Sequence, residues 1–215
     1  MRFSVNAIVL SLFAALAAAS PLPGPDTLPS TTDIDLTKVY IEGITYAGSG
    51  CKAGSVAVSN SKDFTVFTLR FDSYVTSIGP GTQFTDRRKN CNLNVKLHYP
   101  KGYQYTLYQA DYTGTANLEK GVSATQESQY WFARETPRAT LRAKWSGPFS
   151  DNYNFRDTLV HDAWVWSPCG ASTTLNINTQ LNLDNTGYPQ ASGYIAPNGI
   201  DPNVKTLYGI SWRKC

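Results

Sequence analysis

Asn92-Leu93-Asn94-Val95-Lys96-Leu97-His98-Tyr99 alternates polar and apolar residues without a break. Leu93, Val95, Leu97 and Tyr99 fall on one face. Asn92, Asn94, Lys96 and His98 fall on the other. That period of two belongs to a strand with one face buried and one face wet, the pattern of an antiparallel sheet. The pattern recurs downstream, where Leu175, Ile177, Thr179, Leu181 and Leu183 alternate with Asn176, Asn178, Gln180, Asn182 and Asp184.

Further segments read the same way. Phe64–Phe71 is rich in β-branched and aromatic residues, a strand composition. Pro100-Lys101-Gly102 predicts a turn, with Tyr103–Tyr112 returning as the second strand of a hairpin. Ser123–Arg134 and Ala139–Trp145, separated by Glu135-Thr136-Pro137-Arg138, predict another pair. Leu159–Trp166, Thr173–Leu183 and Val204–Trp212 follow. Gly79-Pro80-Gly81, Gly147-Pro148 and Pro197-Asn198-Gly199 punctuate the series, and helical periodicity is nearly absent. Many short strands with regular turns predict an all-β chain, an antiparallel β-sandwich, with a closed barrel as the alternative.

The start of the chain predicts export. Arg2 precedes an apolar run from Ala7 to Ala19, and Ala17-Ala18-Ala19 offers a small-residue cleavage site, so residues 1–19 read as a signal peptide. The apolar run is shorter than the about 20 residues a membrane span needs. No second such run follows, so a secreted, extracellular protein without a membrane anchor is expected. Residues 20–37, rich in Pro, Thr, Ser and Asp, read as a flexible lead, and residues 38–215 as one domain.

Charge narrows the partners. The formal net charge is +3, and the single basic cluster, Arg87-Arg88-Lys89, has Asp86 beside it. Nucleic-acid binding needs a basic stripe or face, so no nucleic-acid partner is expected. No Asn is followed two positions later by Ser or Thr, so there is no N-glycosylation sequon.

Cys51, Cys91, Cys169 and Cys215 stand behind the export signal and predict two disulfides. Four cysteines allow three connectivities. The sequential one, Cys51–Cys91 with Cys169–Cys215, is expected, because each pair then staples one half of the domain. Loops of about 40 residues would contribute about 4 kcal/mol each in the chain-entropy model. No Cys-x-x-Cys or Cys–His spacing supports a metal centre, and no cofactor is expected.

Several of these stretches together resemble one family. They are Gly50-Cys51 with Gly54-Ser55, then Arg88-Lys89-Asn90-Cys91-Asn92-Leu93-Asn94, Trp166-Ser167-Pro168-Cys169-Gly170, Leu175-Asn176-Ile177-Asn178-Thr179 and the terminal Cys215. The resemblance is to the small secreted fungal and bacterial proteins of domain-of-unknown-function family 4360. It implies secretion, paired cysteines and a compact β-rich domain. It brings no activity and no catalytic residues.

Catalytic chemistry finds little footing. His98 lies on a polar strand face. His161 precedes Asp162, but neighbours on a strand point to opposite faces, and no Gly-x-Ser-x-Gly elbow exists. Copper chemistry of the kind that uses an amino-terminal histidine is disfavoured, because cleavage would expose Ser20. Asp72, Asp111, Glu119, Glu127, Glu135, Asp157 and Asp162 could supply a carboxylate pair, but nothing in the sequence pairs them. Asp33-Ile34-Asp35, Asp184-Asn185 and Asp201-Pro202-Asn203 carry oxygen ligands but read as turn chemistry.

Two features point to binding. Trp131, Trp164 and Trp166 sit in or beside predicted strands and could stack on sugar rings, although strand aromatics are more often core. Asn92, Asn94, Asn176 and Asn178 form amide-rich faces that could read sugar hydroxyls. The expectation is a secreted, non-catalytic β-sandwich whose partner is cell-wall or host polysaccharide. A protein-binding effector or inhibitor and a carboxylate-based hydrolase are the alternatives.

Overall fold

The computed structural model describes residues 34–170, 172–196 and 204–215. The expected signal peptide and nearly all of the expected lead lie outside these residues. The end of that lead packs down: Ile34 is buried, and Leu36–Lys38 forms a 3-10 turn capped by the Asp35 side chain.

Two open antiparallel sheets face each other, and neither closes into a barrel. The first has five strands in the order β1 (Tyr40–Ala47), β5 (Arg88–His98), β10 (Thr173–Asp184), β7 (Ser123–Phe132) and β8 (Ala139–Ser146). The second has seven, in the order β2 (Val56–Asn60), β3 (Val66–Phe71), β12 (Val204–Lys214), β6 (Tyr103–Leu118), β11 (Gly193–Ala196) and β4 (Thr76–Ile78), with β9 (Phe149–Thr158) paired to β6. The 16-residue β6 is the spine of this sheet. Its partners β12 and β11 take successive stretches of one edge, and β9 overlaps both stretches from the other.

Both expected disulfides are present. Cys51–Cys91 ties the β1–β2 connection to β5, and Cys169–Cys215 ties the chain before β10 to the end of β12. The alternating residues behave as expected: Leu93, Val95, Leu97, Leu175, Ile177, Leu181 and Leu183 are buried in one core between the sheets.

Two expectations fail. Tyr103–Tyr112 is a strand, but it is no hairpin partner of Asn92–Tyr99. β5 pairs with β1 and β10, whereas β6 pairs in the other sheet, so Pro100–Gly102 crosses between layers. Alternation specifies which side of a strand is buried and says nothing about its partner. Leu159–Trp166 is also not a strand. It contains a 3-10 turn, His161–Ala163, and runs irregularly along the β6 edge beyond β9, tied by Leu159 N–H to Tyr108 O and Ser167 N–H to Tyr105 O, both 2.8 Å. The strand at that edge is β9, whose mostly exposed residues lack the apolar signature.

The core is unusually rich in phenol groups that bond across the layers. Tyr130 on β7 donates to the Leu107 carbonyl on β6 at 2.6 Å and meets Thr106 Oγ1 at 2.9 Å. Tyr112 on β6 donates to the Leu141 carbonyl on β8 at 2.8 Å. Tyr153 on β9 donates to Gln126 Oε1 on β7 at 2.9 Å, and Tyr208 on β12 meets Ser128 Oγ on β7 at 2.7 Å. Each phenol fills apolar volume with its ring and satisfies its hydroxyl on the opposite sheet, which fixes how the layers sit. Burial raises the pKa of all four, Tyr130 to about 12.

Candidate functional site

The outward face of the five-stranded sheet gathers polar side chains into four cross-strand rows. The register aligns Asn94, Asn176 and Trp131 in the first row, and Asn92, Asn178 and Gln129 in the second. Gln180, Glu127 and Arg142 form the third, and Arg88, Asn182, Thr125 and Lys144 the fourth. From Trp131 to Thr125 is six steps of strand, about 20 Å at about 3.3 Å per residue.

The rows are prearranged by hydrogen bonds. Asn94 Nδ2 donates to Asn176 Oδ1 at 2.7 Å, and Asn178 Nδ2 donates to Asn92 Oδ1. Arg88 donates to Gln180 Oε1 at 2.7 Å, Gln180 Nε2 to Glu127 Oε1 at 2.9 Å, and Arg142 Nε to Glu127 Oε2 at 2.6 Å. The last two rows line a shallow depression of about 430 Å³ formed by Arg88, Thr125, Glu127, Arg142, Lys144, Gln180 and Asn182. At the opposite end the Arg138 guanidinium lies over the Trp131 ring at 4.3 Å and reaches Gln129 Oε1 at 3.3 Å.

The five-stranded face thus collects Asn92, Asn94, Asn176, Asn178 and Trp131 from the residues expected to bind. Trp164 and Trp166 lie elsewhere. Trp164 contacts Tyr108 at 5.6 Å, His161 at 4.6 Å and Trp166 at 5.7 Å, and the Arg213 guanidinium lies 3.9 Å over Trp166. Tyr108 covers Gly209, where a Cβ would fall 2.9 Å from its ring, so this cluster lies on the outer face of the seven-stranded sheet. The Trp164 and Trp166 rings are inclined by 55° and do not make a flat platform. Trp145 and Trp212 are core.

Sequence reasoning missed Arg88, Glu127, Arg142, Lys144, Gln180 and Asn182 as parts of one surface. The alternation around Glu127 and Arg142 gives their face, but their adjacency needs the β10–β7–β8 order.

His98 belongs to a small polar cluster at the β1 edge. Ser172 Oγ donates to Glu42 Oε1 at 2.5 Å, Lys96 Nζ is 2.6 Å from Glu42 Oε2, and His98 Nδ1 is 3.1 Å from Ser172 Oγ. Hydrogen bonds from Lys96 and then Ser172 hold the Glu42 carboxyl below its usual pKa. Glu42 and Ser172 both address Nδ1 of His98, whereas a hydrolytic triad places its acid and nucleophile on opposite ring nitrogens. Asp184 is engaged by Thr186, and Asn185 Nδ2 bonds the Pro189 and Ala191 carbonyls, which is turn chemistry. No group of three potential metal ligands occurs among the described residues.

Fold and disulfides define a two-sheet antiparallel sandwich stapled at two points. The chain belongs to the family described as Domain of unknown function (DUF4360), which matches residues 37–215. An uncharacterized secreted protein of Arthroderma benhamiae (strain ATCC MYA-4681 / CBS 112371) is 43% identical over 181 residues, covering 84% of this chain and 74% of the relative. That relative and the paired cysteines place the protein outside the cell. Among solved structures, TmCBM61 in complex with beta-1,4-galactotriose overlaps 81% of this chain and 90% of its own, at 8% identity and a TM-score of 0.28. The enzymatically active domain of bacteriophage CBA120 tailspike protein 4 overlaps 84% of this chain and 20% of its own, at 10% identity and a TM-score of 0.25. Likenesses this distant carry no argument about function.

Proposed function

We propose that the protein is a secreted, non-catalytic binding module that lays an extended polysaccharide along the outer face of its five-stranded sheet. The observation that carries this reading is the convergence of four Asn amides, in two hydrogen-bonded pairs, with Gln129 and Trp131 on two adjacent rows. Each amide offers two donors and two acceptor sites, so every pair keeps unused capacity facing solvent. Fixed amides bind hydroxyls without first losing rotamer freedom, which favours affinity. Arg138 occupies one face of Trp131, so a sugar ring takes the other face or displaces the guanidinium.

The carboxylates weigh against hydrolysis. Glu127 is bonded to Arg142 and Gln180, Asp111 to Arg156, and Glu42 to Lys96 and Ser172. Those whose acidity is shifted, Asp35, Glu42, Asp63, Asp86 and Asp184, are all shifted downward by hydrogen bonds. A glycosidase needs one carboxyl raised enough to stay protonated as the acid.

The test is retention on insoluble and soluble polysaccharides, compared between the native protein and an Asn176→Ala/Asn178→Ala variant. Retention should fall at least about tenfold, the equivalent of losing two net hydrogen bonds. Unchanged retention in a variant of native thermal stability would overturn the reading.

A further inference from the structure

The four-row face is chemically graded. The rows of Asn92, Asn94, Asn176 and Asn178 contain no charged member of their own and meet one cation, Arg138, at their β7 end, whereas the far rows carry three cations. Around the depression stand Arg88, Arg142 and Lys144, against the single carboxylate of Glu127. At the rim Asp184 feels both Arg87 and Lys144, and Asp157 Oδ2 accepts from the Arg142 backbone N–H at 2.6 Å, so four cations face three carboxylates and the excess is one positive charge. Lys89, the third residue of the basic run, is neutralised by Asp86 at 3.1 Å. The one basic cluster of the sequence is thus divided by the fold. Lys89 pairs locally, Arg87 lies over Phe84 at 4.5 Å, and Arg88 opens onto the strand face.

Glu127 does more than offset charge. It accepts from Arg142 on one oxygen and from Gln180 on the other, and Gln180 in turn accepts from Arg88. The two guanidinium groups are held on either side of the depression, each with donors left over. Lys144 makes no ion pair within 4 Å among the described residues, although its charge acts on Asp184, and it stands in the adjoining row. Fixed, paired guanidinium groups suit planar carboxylates, which they meet with two parallel hydrogen bonds.

We propose that the polysaccharide bound by this face is a polyuronate, with its carboxylates seated between Arg88, Arg142 and Lys144 and its hydroxyls on the amide rows. This rests on the reading of the face as a glycan site and names the class of glycan. The cationic end supplies attraction that salt screens, and the amide end supplies contacts that salt leaves alone.

The experiment measures binding of the full secreted chain to polygalacturonate and to the same polymer with its carboxyls methyl-esterified, across a range of salt. The native protein should bind the free acid at least about tenfold more tightly at low salt, as expected when two exposed charge contacts of modest strength are lost together. That preference should shrink as salt rises. Arg88→Ala/Lys144→Ala should remove the preference while leaving binding to the ester in place. Arg88→Lys/Lys144→Arg keeps the charge and should restore most of it, which separates electrostatics from a folding defect. Equal affinity for acid and ester would overturn the polyuronate assignment and leave the glycan reading standing. Binding to neither polymer, nor to any uncharged glucan or chitin, would overturn both. Tighter binding of dextran sulfate than of polygalacturonate would overturn the choice of carboxylate as the recognised group.

Discussion

Replacing Tyr130 by Phe removes one oxygen from the centre of the sandwich and tests whether the cross-layer phenols hold it together. The Tyr130 side chain is fully buried, and its hydroxyl donates to the Leu107 carbonyl at 2.6 Å while meeting Thr106 Oγ1 at 2.9 Å. Phe keeps the ring and its packing against Phe132, so the transfer and cavity terms stay close to zero. What remains is polar. Thr106 Oγ1, itself buried, loses its short partner and keeps only a 3.5 Å contact to the Leu107 carbonyl. Leaving such a group poorly satisfied costs about 1–3 kcal/mol, so about 2 kcal/mol is expected. For a domain of this size that lowers Tm by about 4–8 °C.

The assay is thermal and urea unfolding with both disulfides intact, repeated for Thr106→Val and for the double variant. The double variant should be more stable than the sum of the two single losses predicts, because removing both partners leaves no orphan. The pH dependence gives a second readout. The Tyr130 pKa is raised from 10.0 to about 12 by burial. The unfolded phenol therefore ionises first, so its contribution is complete below pH 10 and is lost as pH rises toward about 12. The Phe variant lacks that loss, and its deficit against the native protein should narrow in this alkaline window. A Tm change under about 1 °C, with no narrowing, would refute the claim that these hydroxyls fix the layers.

Two further outcomes follow. Glu127→Gln removes the one carboxylate of the depression, so affinity for polygalacturonate should rise and its salt dependence steepen, measured by titration at several ionic strengths; weaker binding would show that its positioning of Arg142 and Gln180 outweighs its charge. Glu42 has a folded pKa held below its ordinary 4.5, chiefly by Lys96, so its stabilisation is present above that pH and is lost as pH falls through the folded value. The Tm difference between native protein and Glu42→Gln should accordingly be visible at neutral pH and shrink as pH falls through the acid range; a difference that stayed constant or grew with acidification would contradict this assignment.

Much of the candidate site was legible as faces and little of it as a surface. Asn92, Asn94, Asn176 and Asn178 were identified from alternation, and β5 and β10 do lie side by side. Trp131 joined them for a reason invisible in the sequence, namely that β7 takes the other edge of β10. Trp164 and Trp166, grouped with it by residue type, went to the opposite sheet, because the chain before β10 continues along the β6 edge. The basic end of the site was hidden by the same non-local pairing, with Arg88 drawn from β5 and Arg142 and Lys144 from β8, two strands brought together only through β10 and β7.

The sequence by itself determined what depends on near neighbours and composition. A period of two places each side chain in or out, and four cysteines in an exported chain pair into two staples, here Cys51–Cys91 and Cys169–Cys215. Only the tertiary structure decided which strands lie beside which, and therefore which polar faces merge. Strand edges are chemically alike, so partner choice comes from packing the whole core rather than from any local pattern. For the same reason Pro100–Gly102 crosses between sheets instead of closing a hairpin, and the graded face exists only once β5, β10, β7 and β8 stand in that order.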